Sequence, residues 1–414
     1  MAEVGLSSRS LLWGSGATIG LIAAAQGCNA LAFAVLTHRT SLGAFGAFVG
    51  VYAAAMALGS IADFGASALR LRQIASGGAH PALVPWLLTR AFWHGVMVVA
   101  LAAVAVPLTH SLLSPLTVIL LCAQVLTMNF AVGAAADVRG VRSPLFAEGF
   151  VLAGNVLVIV TALAAPDSRV LELTAAAAMT SWLLTAALAL IALPPSSRRL
   201  EKPDRRLNPW RGSFNFGLGS LAVAISGLSV PVVALVAGSA DAAQLGAVSR
   251  WHQPITLLAA GTSAFLAPRF AAAITDTDAV HMLRSIRLHL MLGVAGSLAL
   301  FLVAPVLVQV LLTEEYGASV MLLRLYALAA VPVLLGQPLI VLLSARGHDR
   351  FVGRLFLLAT SVGLAATALF AAAFGASAAP IAALAVSSFL MIRLTFYTRQ
   401  LLYLDRLAPA ASAV

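Results

Sequence analysis

The sequence consists of long apolar stretches separated by short polar ones. The stretches lie at about 11–36, 42–62, 84–108, 112–135, 145–165, 171–193, 214–238, 243–268, 287–311, 320–344, 351–374 and 379–402. Each is close to the roughly 20 residues that an α-helix needs to cross a bilayer. The stretches are uniformly apolar and do not alternate with a period of two, so they indicate helices and not the strands of a barrel. The pattern therefore predicts an all-α membrane protein with about twelve transmembrane helices.

The composition agrees with lipid as the solvent of most of the chain. Of the 414 residues, 61% are hydrophobic and only 10% are charged, whereas soluble domains carry about 25% charged residues. A soluble fold could not bury this much apolar surface. Cys28 and Cys122 lie inside apolar stretches and are expected to be buried free thiols. The sequence has no zinc-binding spacing, phosphate-binding loop or nucleophile elbow, so neither a metal, a cofactor nor an enzymatic activity is expected.

Basic residues are concentrated in every second connection between the apolar stretches. If the N-terminus is cytoplasmic, the cytoplasmic segments carry about 19 arginines and lysines, and the outer loops carry about two, Arg39 and Arg169. This bias predicts that both termini are cytoplasmic and that the number of spans is even. The net charge of +10 then reflects membrane topology, and nucleic acid is not expected as a partner.

The longest polar segment, residues 194–212, is rich in proline and charge and is predicted to be a cytoplasmic linker. It divides the chain into an N-terminal half, residues 1–193, and a C-terminal half, residues 213–414, with six predicted helices in each. A shift of about 200 residues aligns Gly46 with Gly246, and both begin a helix. Two six-helix bundles with the same orientation are a known transporter plan, in which the substrate binds between the bundles.

Four short segments carry a family resemblance. They are residues 14–48, a glycine-rich opening hairpin; 61–75, IADFGASALRLRQIA; 239–258, SADAAQLGAVSRWHQPITLL; and 265–271, FLAPRFA. Together with the twelve-helix plan they resemble the polysaccharide flippases of the MOP exporter superfamily, whose fold is MATE-like. The resemblance implies a protein of the bacterial inner membrane that moves undecaprenyl-pyrophosphate-linked oligosaccharide across the bilayer by alternating access, for the biosynthesis of surface polysaccharide such as lipopolysaccharide.

The same resemblance implies partners for this protein, although the sequence departs from the family pattern at two places. The expected partners are the lipid-linked oligosaccharide, membrane lipids, and a polysaccharide polymerase and glycosyltransferases. Val248 stands where the family usually has tyrosine after Leu-Gly, and the seventh helix lacks the acidic and basic pair that family members often carry. These departures leave the chemistry of the site and its ion coupling open.

Arg250 is the principal candidate for contact with substrate. A charge at the centre of a bilayer costs at least about 2.5–3.5 kcal/mol, so charged residues inside spans are functional candidates. Arg250 lies about two turns from the outer end of the eighth predicted helix, next to His252 and Gln253. Its guanidinium could bind a pyrophosphate through paired hydrogen bonds. The alternative is that Arg250 reaches to the outer membrane interface.

Three further arginines lie inside predicted spans, and of these Arg393 is expected to anchor its helix near the cytoplasmic surface. Arg90 and His94 share one helix face and could line the inner mouth of a cavity, or Arg90 could anchor its helix end. Arg324 lies about one turn from the outer end of its helix. It could line the cavity, reach to the interface, or pair with Glu314 or Glu315 in the outer loop.

Three uncharged polar residues are also candidates for the cavity. Gln26 and Asn29 on the first helix and Tyr52 on the second could bind the hydroxyl groups of a sugar. They could equally form hydrogen bonds between neighbouring helices, as polar residues in membranes often do.

Three charged residues are predicted to have a gating or structural role. The resemblance gives such a role to Asp63, at the cytoplasmic end of the second helix, where it could pair with Arg70 or Arg139 or remain solvated. Arg39 lies in the outer hairpin, where it could meet the incoming substrate or remain solvated.

Other functions remain as alternatives. A multidrug or cation antiporter of the same superfamily would need an acidic residue in the cavity, and no acidic residue lies deep in a predicted helix. A polysaccharide polymerase or ligase would need a large outer loop, whereas the predicted outer loops are short. A membrane scaffold without transport activity would not need buried arginine.

Overall fold

The computed structural model describes residues 8–75, 82–142, 144–195, 210–251 and 286–411, with Phe270 and Leu283 between them. All regular structure in this part of the chain is helical, which confirms the predicted all-α class. The α-helices are α1 Ser8–Arg39, α2 Leu42–Asp63, α3 Ala66–Ala75, α4 Leu83–Thr109, α5 Pro115–Val141, α6 Pro144–Ala164, α7 Val170–Ala192, α8 Phe214–Gly227, α9 Ser229–Val236, α10 Ser239–Val248, α11 Arg287–Leu311, α12 Ser319–Ala345, α13 Asp349–Phe374 and α14 Ala378–Ala411.

The predicted spans correspond closely to these helices. Ten segments of the described chain are long and apolar enough to cross a membrane, and the last of them, Asp349–Leu401, contains α13 and most of α14. The predicted span 214–238 is divided into α8 and α9 at Leu228. The predicted span 243–268 begins within α10, and its remainder lies outside the described residues. The twelve-helix plan is therefore confirmed wherever the structure describes it.

Large apolar side chains face outward from these spans. Phe92, Leu302 and Leu369 are 68%, 70% and 76% exposed, although each lies well inside a helix. Such surface is stable only against hydrocarbon, so it marks the faces that contact lipid.

Helix α2 is the central element of the fold. It packs against α4 and α5 of the N-terminal half and against α8, α9 and α10 of the C-terminal half. Small residues permit this close packing, as is usual between membrane helices. At Gly46, a Cβ atom would collide with the backbone carbonyl of Ser239, so only glycine fits where α2 meets α10.

A tight elbow follows α2. Phe64 has a φ of 42° and Gly65 a φ of 70°, so the chain leaves the helix through two left-handed residues and turns into the short helix α3. A Cβ atom on Gly65 would lie 2.5 Å from the Phe216 carbonyl carbon of α8. The elbow therefore holds the end of α2 directly against the C-terminal half.

The buried core differs between the two ends of the molecule. At the predicted outer end, one apolar cluster includes residues of both halves, among them Phe45 and Tyr316, whose rings are 6.1 Å apart. At the predicted cytoplasmic end, Trp86 belongs to a cluster of the N-terminal half, and Leu394 belongs to a separate cluster of the C-terminal half. The halves thus share a core at the outer end and have their own cores at the cytoplasmic end.

Candidate functional site

Two cavities lie on either side of Arg250. The larger has a volume of about 530 Å³ and is enclosed mainly by helices of the C-terminal half and by α2. The smaller has a volume of about 90 Å³ and lies between α1, α2, α6 and α7 of the N-terminal half. Arg250 lines both, so its side chain lies at the boundary between them.

The wall of the larger cavity is mostly apolar and small. Its polar residues other than Arg250 are Ser60, Ser226, Ser229, Ser249, Tyr326, Thr360, Thr367 and Ser387. Several of these hydroxyls donate to carbonyl groups of their own helix, as Thr360 does to Phe356 O at 2.8 Å and Thr367 does to Gly363 O at 2.9 Å. The wall therefore presents few free donors, and its described residues include no carboxylate.

The smaller cavity brings together four of the residues that the sequence singled out. Gln26, Asn29, Tyr52 and Arg250 all line it, although they come from three different helical segments. Sequence reasoning missed the other polar and aromatic residues of its wall. These are Phe33, Phe48, Asn155, Thr174, Ser181, Trp182 and Thr185. No signal in a uniformly apolar helix indicates which polar residues face the same cavity.

The Arg250 side chain is held by aromatic rings. Its guanidinium carbon lies 5.4 Å from the centre of the Phe33 ring and 5.2 Å from that of Tyr52. Both distances are within the range of a cation–π interaction. Its Nε atom is buried without a hydrogen-bond partner, and no ion pair neutralises it in the described part of the chain. Arg250 is therefore an oriented cation with donors available.

The backbone changes at the same position. Helix α10 ends at Val248, and Trp251 N donates to Val248 O at 3.0 Å in a tighter turn. Arg250 thus projects from a helix end inside a predicted span and not from a continuous helix. The neighbouring candidates His252 and Gln253 lie outside the described residues.

Arg90 and His94 do not line an open mouth, which corrects the prediction for them. The Arg90 side chain is 1% exposed and donates to Asp63 Oδ1 at 2.6 Å and to Asn129 Oδ1 at 2.8 Å. His94 is fully buried, and its Nδ1 lies 2.5 Å from Arg90 O. The ion pair with Asp63 and the contact with the Trp86 ring compensate the buried charge of Arg90, although Arg90 Nε and Nη1 and His94 Nε2 have no hydrogen-bond partner among the described residues.

The pairing predicted for Asp63 is also corrected. Asp63 accepts from Arg90 and from the Ser67 hydroxyl, while Arg70 donates to both oxygens of Asp137. Arg139 pairs instead with Glu148, at 2.8 Å. The packing of the helices therefore decides which arginine pairs with each carboxylate.

Trp86 contacts both buried arginines. The guanidinium carbon of Arg70 is 4.9 Å from its ring centre, and that of Arg90 is 4.3 Å away. Both distances are within the range of a cation–π interaction, so the ring attracts both charges. The cluster therefore joins α2, α3, α4 and α5 near the predicted cytoplasmic end.

Arg39 and Arg324, both predicted near the outer surface, have local structural contacts. Arg39 pairs with Asp167 and donates to Ala162 O at 2.7 Å, so it closes the carboxyl end of α6. Arg324 donates to Phe301 O at 3.3 Å and lies 5.2 Å from the centre of that ring, so the predicted pairing with Glu314 or Glu315 is replaced by a contact with α11. Neither arginine lines a cavity described above.

The chain was compared with known families, curated proteins and solved structures. No family profile matches the chain. No curated protein matches it either. Solved structures do match over nearly the whole length. A multidrug resistance MATE family transporter of the MOP superfamily, in its inward-facing conformation, is similar with a TM-score of 0.70 and 17% identity, over 93% of this chain and 94% of that one.

Two other structures are similar over a comparable length. The lipid II flippase MurJ, in an inward closed conformation, has a TM-score of 0.72 and 10% identity, over 94% of this chain and 87% of that one. A MOP superfamily transporter from Pyrococcus furiosus, described as having a binding pocket of reversed polarity, has a TM-score of 0.64 and 16% identity, with 94% of each chain covered. At these identities the likeness shows a shared fold.

Proposed function

We propose that this protein is a transporter that moves an undecaprenyl-pyrophosphate-linked oligosaccharide across the bacterial inner membrane by alternating access, for surface polysaccharide biosynthesis. The observation that carries the proposal is Arg250, a cation without an ion-pair partner in the described chain that lies between two cavities where the halves meet. The fold shared with MOP superfamily transporters and with a lipid II flippase supports it.

The charge of the site favours an anionic substrate. A guanidinium offers a planar set of donors that matches the oxygens of a phosphate. The rings of Phe33 and Tyr52 orient the Arg250 guanidinium without neutralising it. A pyrophosphate entering between the cavities would therefore meet a cation whose charge is still available.

The carboxylates of the protein do not favour a cation substrate. No Asp or Glu occurs among the described residues that line either cavity. The buried carboxylates Asp137 and Glu148 and the partly buried Asp63 are each paired with an arginine. A cation antiporter needs an unneutralised carboxylate to hold its substrate or a proton, so the multidrug function is the weaker candidate.

The asymmetry of the core supports alternating access. A shared apolar core holds the two halves together at the predicted outer end, whereas their cores are separate at the predicted cytoplasmic end. This arrangement corresponds to a state closed toward the outside. Transport then requires the shared core at the predicted outer end to separate while the separate cores at the predicted cytoplasmic end approach each other.

The test is translocation by the purified protein in liposomes. We expect wild type to move undecaprenyl-pyrophosphate-linked oligosaccharide, Arg250→Ala to lower the rate by about tenfold or more, and Arg250→Lys to retain part of it, because lysine keeps the charge but loses the fork of donors. Arg169→Ala removes an exposed arginine that pairs only locally and serves as the matched control.

The same assay separates the alternatives. A wild-type protein that moves no lipid-linked oligosaccharide under any imposed ion gradient would overturn the proposal. Export of a lipophilic cation such as ethidium under a proton gradient, with Arg250→Ala still active, would instead establish the antiporter.

A further inference from the structure

The two cavities differ in the kind of polar group they present. Three amide side chains occur among their described wall residues, Gln26, Asn29 and Asn155, and all three line the smaller cavity. The larger cavity offers hydroxyl groups but no amide. An amide presents donors and an acceptor side by side, which is the complement of the hydroxyl groups of a sugar.

Three polar atoms of the smaller cavity lack partners, although Asn155 Nδ2 donates to Val151 O at 3.1 Å. Thr174 is 1% exposed, and its Oγ1 atom has no hydrogen-bond partner. The same holds for Gln26 Oε1 and Arg250 Nε, so three such atoms line one space of about 90 Å³. Buried polar atoms without partners are uncommon and call for an explanation. The space is large enough for several water molecules, or for polar groups of a ligand that take their place.

Aromatic surface completes the wall. Trp182 and Tyr52 both line the smaller cavity. A sugar ring has an apolar face of C–H groups as well as polar hydroxyl edges, so amides and aromatic rings in one cavity can bind both aspects of it. The larger cavity has a mainly apolar wall whose hydroxyls largely donate to their own helices.

We propose that the smaller cavity is a saccharide subsite that recognises the sugar next to the pyrophosphate. Gln26, Asn29, Asn155 and Thr174 hydrogen-bond to the sugar hydroxyls, and Trp182 covers the face of the ring. Arg250 holds the pyrophosphate at the boundary, so the lipid portion stays outside the amide-lined space. This inference rests on the proposed transport of a lipid-linked oligosaccharide and adds where its sugar is selected.

The experiment compares two ligands on the full chain in lipid nanodiscs. The probes are undecaprenyl pyrophosphate carrying an oligosaccharide and undecaprenyl pyrophosphate without sugar. We expect wild type to bind the sugar-bearing lipid more tightly. The double variant Gln26→Met, Asn155→Leu should bind the sugar-bearing lipid with roughly tenfold lower affinity, since two neutral hydrogen bonds are lost. Its affinity for the sugar-free lipid should be unchanged.

Gln124→Met is the matched control. Gln124 is a buried amide of α5 whose side-chain atoms have no partner, but it lines neither cavity. Its replacement should change neither affinity. The double variant tests the saccharide subsite. Arg250→Ala tests the phosphate site, because it should lower the affinity for both ligands.

Three results would overturn the subsite. The first is equal affinity of wild type for the two ligands, and the second is an unchanged preference of the double variant for the sugar-bearing lipid. The third is an equal loss of affinity for both ligands in the double variant, which would show that the amides only support the structure around ordered water. Failure of the proposed function itself is a different result, since wild type would then translocate neither lipid in liposomes.

Discussion

At the scale of single residues, the buried charges of the N-terminal half are stable because each has a specific partner. Arg90 is 1% exposed and Asp63 is 15% exposed, and their side chains are 2.6 Å apart. Removal of one member of a buried pair leaves the other charge uncompensated, which costs more than the pair itself contributes. The pair therefore has a clear signature in stability measurements.

Asp63→Asn is expected to lower the free energy of unfolding by about 3–5 kcal/mol, because Arg90 is then buried without a counter-charge. The double variant Asp63→Asn, Arg90→Met should be less destabilised than Asp63→Asn alone, since no unpaired charge remains. Thermal unfolding of the detergent-solubilised protein measures both. If the stability losses of Asp63→Asn and of Arg90→Met, each measured alone, add up to that of the double variant, the two residues are not coupled.

Tyr316 provides a second test at this scale. Its side chain is 1% exposed, its hydroxyl has no partner among the described residues, and burial raises the pKa of its phenol. Tyr316→Phe should leave the unfolding temperature unchanged or raise it, because it removes an unsatisfied group. Tyr316→Ala should lower stability by about 3–5 kcal/mol, through loss of the contact with Phe45. A large loss in Tyr316→Phe would reveal a hydrogen bond to this hydroxyl.

At the scale of elements, the elbow after α2 determines how the cytoplasmic end meets α8. Phe64 lies against Gly217, where a Cβ atom would be 2.5 Å from the phenyl ring. Trp210 Nε1 also donates to Ala62 O, at 2.9 Å, which ties the end of the predicted linker to α2. The elbow and Trp210 together form a seam between the halves at the predicted cytoplasmic end.

Gly217→Ala is expected to push α8 away from the Phe64 ring and to reduce transport several-fold. Gly219→Ala is the matched control on the same helix, because a Cβ atom there meets nothing within 4 Å. Both changes raise helix propensity equally. A difference in transport between the two variants therefore reflects the contact of α8 with Phe64. Translocation in liposomes with equal amounts of folded protein is the measurement, and equal activity of the two variants would contradict the role of the seam.

At the scale of the whole molecule, the proposed alternating access requires the two halves to separate at the predicted outer end. Val49 of α2 contacts α10 at Gly246, where a Cβ atom would lie 2.9 Å from that of Val49. His38 Nε2 lies 3.1 Å from Leu311 O across the same end. These contacts, with the shared apolar core, hold the two halves together at the predicted outer end.

A disulfide between Val49→Cys and Gly246→Cys should therefore stop transport, and reduction should restore it. Their Cβ atoms are near the separation that a disulfide needs after a small adjustment. The native thiols Cys28 and Cys122 are first replaced by serine and alanine, so that only the introduced pair reacts. Unchanged transport by the fully cross-linked protein would exclude separation of the halves at this point.

The sequence by itself determined the number, length and helical nature of the spans, because in lipid each helix must satisfy its own backbone hydrogen bonds and its apolar length is visible locally. It also marked Gln26, Asn29, Tyr52 and Arg250 as polar groups in apolar surroundings. Only the tertiary structure decided which of them share a cavity and which charges pair. Arg250 meets Phe33, more than 200 positions earlier in the chain, and Arg90 meets Asp63. Helices that are apolar on every side carry no stripe that indicates their inward face, so these partners depend on packing between distant segments.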